Sequence, residues 1–200
     1  MNTWSPSPSG RRLPSSAVID ALYEDEEVQD IVALSGASAP DWLQHLSIPT
    51  NWQRVELPDS RGQVIARMAV CGALGNGEWQ GADTISAFGY TNWLVFYDVF
   101  HNADRTLRGL DATGIAVRVM PVPAIQRVAA VRCSGTAVIG DRSVWIQQSN
   151  YVAGSEQPHA SRLIVHSIFV EAAYRDRLAE DIAQLSDAVY QGFLATLRND

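Results

Sequence analysis

The residues of this 200-residue chain equipped for chemistry are four histidines, two cysteines and a set of arginines, and spacing decides what each can do. Cys71 and Cys133 have neither a CxxC spacing nor a histidine close by, so they do not form a metal motif. Cys133 shares the parity of Val131, Ala137 and Ile139, which marks it as a buried thiol. A Cys71–Cys133 disulfide stays open at this level. His101 and Asp104 stand three apart on one helix face, too few ligands to close a zinc site. His166 interrupts the apolar parity of Ile164, Ile168 and Val170, which turns its ring inward, with Glu171 or Asp141 as candidate partners. A histidine in that setting is more often a hydrogen-bonded core residue than a base, and an enzyme built on this chain would use His166. GxSxG, HExxH and SxxK are all absent from the sequence, and no cofactor or metal is implied.

Two arginines raise a binding question. Arg118 and Arg132 occupy predicted neighbouring strands, where a pair of guanidiniums can clamp an anionic group in a fork or simply face solvent. The strand Arg142–Val152 adds a second candidate. Its even positions begin Val144 and Ile146, while its odd positions read Ser143, Trp145, Gln147, Ser149 and Tyr151. Large amphipathic aromatics among small polar groups match the composition of interfaces and ligand walls, and a sheet covered on both faces would instead bury Trp145. The candidate binding residues are therefore Trp145, Tyr151, Gln147, His166, Arg118 and Arg132.

Composition removes several classes. All 15 basic residues are arginine, so Schiff-base and P-loop lysine chemistry is excluded. A net charge of -7 disfavours nucleic acid, and no apolar run suggests a membrane span or an export signal, so a cytoplasmic location is expected. The acidity is concentrated. Asp20, Glu24, Asp25, Glu26, Glu27 and Asp30 lie between Ser15 and Ser35 without a base, a run that either solvates a helix face or meets a basic partner.

The elements that must position these residues follow from periodicity. Residues 1–14, rich in Pro and Ser, read as a flexible tail, and 15–200 as a single domain. Helix is predicted from Ser15 or Ser16, with Ile19, Leu22 and Tyr23 on one face and Val28, Ile31 and Val32 resuming it after the acidic run, either as one helix or as two split at Glu24–Glu27. Trp52–Leu57 and Val64–Cys71 read as strands flanking the turn 58–62. The glycines of 72–81 read as a connection between strands, because no helix follows them to cradle a phosphate. Thr84–Tyr90 reads as a strand. Trp93, Tyr97, Phe100, Ala103, Leu107 and Leu110 predict one amphipathic helix that Gly114 stops. Strands follow over Ile115–Val119, Val128–Ile139, Arg142–Val152 and Arg162–Val170, with Gly140–Asp141 as a type II′ hairpin loop. A final helix keeps Leu178, Ile182, Leu185, Val189, Phe193 and Leu197 in register.

This order predicts an α+β fold, an antiparallel sheet of about six to seven strands packed by amphipathic helices. It resembles the PsbP-like fold, in particular the LpqN-type small actinobacterial proteins. The residues that carry the likeness are Ile48-Pro-Thr-Asn-Trp52 before a hairpin, the mid-chain helix, the Ile139-Gly-Asp-Arg142 hairpin and the C-terminal helix, over residues 45–197. The resemblance implies an α/β/α sandwich and carries no catalytic signature. A helix-grip fold, its sheet curved around the last helix to form an apolar cavity, is the rival. Three function classes follow: a non-catalytic binding or protein-interaction module, a carrier of a small apolar ligand, and an enzyme using His166.

Overall fold

The computed structural model describes residues 17–56, 64–72, 79–125 and 127–198. The tail 1–14, the turn 58–62 and glycines Gly75 and Gly77 of the glycine-rich stretch lie outside them. In chain order the elements are α1 (Ala17–Glu24), β1 (Gln29–Ala33), α2 (Asp41–Gln44), β2 (Trp52–Val55), β3 (Ile65–Gly72), β4 (Trp79–Thr91), α3 (Phe96–Asn102), α4 (Arg105–Gly109), β5 (Thr113–Val119), β6 (Val128–Ile139), β7 (Arg142–Ala153), β8 (Ser161–Glu171) and α5 (Ala179–Thr196).

Alternating β-branched and aromatic residues build an open, antiparallel eight-stranded sheet in the order β2-β3-β4-β8-β7-β6-β5. The eighth strand is β1, which pairs with the end of the long β4. Val28, Ile31 and Val32 thus belong to an edge strand and its approach rather than to a resumed helix. After the acidic residues the chain pairs with β4, and β pairing overrides the local apolar spacing. The Ile139–Arg142 hairpin forms as predicted, with Gly140 at φ +67, a left-handed value that a side chain would strain.

Helices cover both faces, so β7 and β8 are buried on both parities. On one face α5 packs Ile182, Leu185, Val189 and Phe193 against Ala69, Ile85, Ile164 and Ile168, with α2 alongside. Close approach is permitted by Gly192, where an added Cβ would stand 2.3 Å from the Trp42 ring. On the other face α1, α3 and α4 bring Val18, Leu22, Val99, Ala103 and Leu107 onto Phe88, Val131, Leu163 and Cys133. Cys71 belongs to the α5 side and Cys133 to the other, so both are free thiols and the disulfide is ruled out.

The mid-chain helix departs from its prediction. It is two short helices separated at Ala103–Asp104, and the segment 93–100 buries Leu94 and Val99 while Trp93, Tyr97 and Phe100 face solvent. Ile139, placed by parity with the buried Cys133, is likewise exposed at the hairpin end.

Candidate functional site

One row of polar side chains crosses the apolar face beneath α5. Antiparallel register sets it: His166 of β8 is opposite Ser149 of β7, Ser149 is opposite Arg132 of β6, and Arg132 is opposite Arg118 of β5. Directly opposed residues share a face of a sheet, so all four project toward the α5 side. Asp83 of β4 and Arg67 of β3 extend the row toward the other edge. His166 Nε2 donates to Asp83 Oδ1 at 2.5 Å, and Arg67 Nη1 reaches Asp83 Oδ2 at 3.4 Å. The partner of His166 is therefore Asp83, and neither Glu171, which meets Arg142 at 3.8 Å, nor Asp141 fills that place.

The inner part of the row is shut from water. Asp83, His166, Ser149 and Arg67 are all buried, and a carboxylate there needs both the Arg67 guanidinium and the His166 ring beside it. Burial pulls the Arg67 pKa down, and the Asp83 charge opposes this. Ser149 Oγ accepts from Arg132 Nε at 3.0 Å. Gln147, one alternation along β7, donates to Ser186 Oγ of α5 at 2.7 Å, which fastens the helix across the row. His166 Nδ1 and Arg132 Nη2 are buried without a hydrogen-bond partner, and the Tyr151 hydroxyl lies beside Arg132 and Ser149. Burial raises the Tyr151 pKa, against the opposing pull of Arg132 and Ser149 beside it, so the phenol stays protonated.

All six residues singled out from the sequence project from this one face. Tyr151, Gln147, His166 and Arg132 come together under α5, with Tyr151 stacked on Tyr190 and tilted against Phe193. Trp145 stands at one end, 9% exposed, with the Arg175 guanidinium 4.9 Å from its ring centroid and a shallow cleft of ≈ 230 Å³ at its edge. Arg118 is exposed at the other end. Asp83, Arg67 and Ser186 were missed. Asp83 stands among Ala82, Thr84 and Ile85, and only its parity with the buried Ile85 hinted that a carboxylate pointed inward.

A second surface lies on the opposite side of the molecule. Phe96, Tyr97 and Phe100 of α3 and the preceding Trp93 are exposed, Tyr97 to 68%. Arg127 stacks on Trp93 at 3.7 Å, and Tyr97 stacks on His101 at 5.3 Å. The α1 helix packs beside α3, adding the exposed Tyr23 and the acidic run, with Glu24 facing Arg105 at 3.9 Å.

Among solved structures the chain is similar to the crystal structure of LpqN of Mycobacterium tuberculosis, described as involved in cell envelope biogenesis. The TM-score is 0.63 and the identity 13%, over 87% of this chain and 96% of that one, so what the two share is the fold. The topology-level resemblance read from the order of elements is thereby borne out. No family model and no curated protein sequence matches the chain. Among the described residues no helix is long and apolar enough to cross a membrane.

Proposed function

We propose that the protein is a non-catalytic binding module that docks a partner protein through the aromatic surface of α3. The observation that carries this reading is the exposure of Trp93, Phe96, Tyr97 and Phe100 on a segment that buries Leu94 and Val99. Exposed aromatics gathered on one short segment are the anchors from which interface cores are built, and each leaves apolar area in water that a partner would cover. The acidic run Glu24–Glu27 beside them favours a partner with basic residues around an apolar centre.

Two observations weigh against the other classes. A serine, histidine and aspartate do lie on neighbouring positions of β7, β8 and β4, but Ser149 bonds Arg132 rather than His166, all three are buried under α5, and a nucleophile needs a base and access to substrate. A carrier of an apolar ligand needs space between sheet and final helix, whereas that layer is filled by Tyr151, Ile164, Ile168, Leu185, Val189 and Phe193.

Envelope components are the first partners to test, because LpqN, described as involved in cell envelope biogenesis, shares the fold. Immobilised protein should capture a partner from an envelope extract of its host, and the double variant Tyr97→Ala, Phe100→Ala should lose it. Capture unchanged by that variant would remove α3 as the docking face.

A further inference from the structure

We propose that Arg118 and Arg132, at the open end of the polar row, form a binding site for a phosphate group. Like charges directly opposite on adjacent strands are destabilising, and these two guanidiniums are cross-strand partners on one face. Among the described residues neither meets a carboxylate, although the chain carries more acids than bases. The pair is therefore an uncompensated double positive charge built into the sheet. A dianion of tetrahedral oxygens matches that charge and can take N–H donors from both forks.

The rest of the geometry prepares Arg132 for such a ligand. Its Nε is fixed on Ser149 Oγ at 3.0 Å, and Ser149 is itself buried, so the guanidinium is held without using up its outer edge. Buried Nη2 has no hydrogen-bond partner, and the hydroxyl of Tyr151 lies beside Arg132 and Ser149. Polar atoms left unsatisfied at the wall of a closed layer cost stability, and sites that retain them are the sites where a ligand completes the hydrogen bonding. Entry is from β5, an edge strand exposed along most of its length, where Arg118 is free to close over the bound group. Removal of Arg118 leaves the core untouched, whereas removal of Arg132 leaves Ser149 without its donor. This site is independent of the α3 surface.

The ligand chemistry is a phosphate monoester group, carried by a soluble metabolite or by a lipid headgroup. The test uses inorganic phosphate and, separately, phosphatidylcholine vesicles with and without phosphatidic acid, on the full chain and on Arg118→Gln. Inorganic phosphate should raise the melting temperature above that in chloride of equal ionic strength. Arg118→Gln should weaken phosphate binding, read by calorimetry, by roughly ten-fold or more, while its melting temperature in chloride rises slightly or holds as the cross-strand repulsion is relieved. Binding of inorganic phosphate alone assigns a soluble ligand; binding that needs phosphatidic acid vesicles and is lost in Arg118→Gln assigns a headgroup. Equal behaviour in phosphate and chloride together with no preference for phosphatidic acid overturns the proposal, and so does full phosphate binding by Arg118→Gln. Loss of the α3 partner in Tyr97→Ala, Phe100→Ala with phosphate binding intact would separate this site from the docking surface.

Discussion

Helices α5 and α3 cover opposite faces of one sheet and deploy their large residues in opposite ways. The first turns Ile182, Leu185, Val189 and Phe193 down onto the strands. The second buries only Val99 and leaves Phe96, Tyr97 and Phe100 in water. Beneath α5 the sheet carries a charged row sealed by the helix, while beneath α3 it presents Phe88, Val131 and Leu163, an apolar floor. The contrast teaches that helical aromatics do not by themselves mark the core. The long α5 buries a full apolar stripe and one side-chain hydrogen bond against the sheet, whereas the short α3 buries a single side chain and presents its aromatics outward.

The largest effect that would break this contrast is at the charged row. Asp83→Ala leaves the Arg67 guanidinium buried without its counter-charge and His166 without its hydrogen-bond partner, and should cost about 3 to 5 kcal/mol in a denaturant melt. A loss under about 1 kcal/mol would mean that the row is open to water after all. Next comes Trp145, packed against Leu178 and Ile182. Trp145→Ala should cost about 3 kcal/mol, and a change close to zero would make it a surface residue like the aromatics of α3.

The pH dependence of stability sharpens the comparison on the α4 side. Burial pushes the Cys133 thiol up to about 12 from an ordinary value of 9, and its Sγ donates to the Ala103 carbonyl at 3.0 Å. The folded pKa lies above the unfolded one, so the contribution is complete below about pH 9 and is lost as pH rises toward 12. Stability should fall by on the order of 1 kcal/mol per unit in that window, and Cys133→Ala should flatten the slope; an equal slope in that variant would contradict the buried thiol. The smallest effect is at α3 itself. Tyr97→Ala should change stability by less than about 0.5 kcal/mol in the same melt, because little of the ring is covered, and a loss above about 2 kcal/mol would place it in the core.

Much of the fold was legible in the residues. Seven of the eight strands, the Gly140–Asp141 hairpin and the buried face of α5 follow from periods of two and 3.6 and from one glycine at positive φ. The inward direction of His166 follows in the same way, from the alternation of Ile164, Ile168 and Val170. The start of the mid-chain helix was misread because Trp93, Tyr97 and Phe100 and the pair Leu94 and Val99 make two adjacent stripes. The break before Asp104 rotates one stripe out of line with Ala103 and Leu107.

Periodicity is a property of neighbours along the chain, so the sequence by itself determined which segments are strands and helices and which parities are apolar. Contacts between distant segments were decided by the tertiary structure. Asp83 meets His166 across 83 residues because β4 and β8 pair with Ile85 opposite His166. Arg118 faces Arg132 because the β5–β6 register sets them level, and Val28–Ala33 turns from helix to strand because the end of β4 offers an open edge. Register between strands depends on which hydrophobic face each must bury and on how far its turns let it slide, and both are settled only when all the strands pack at once.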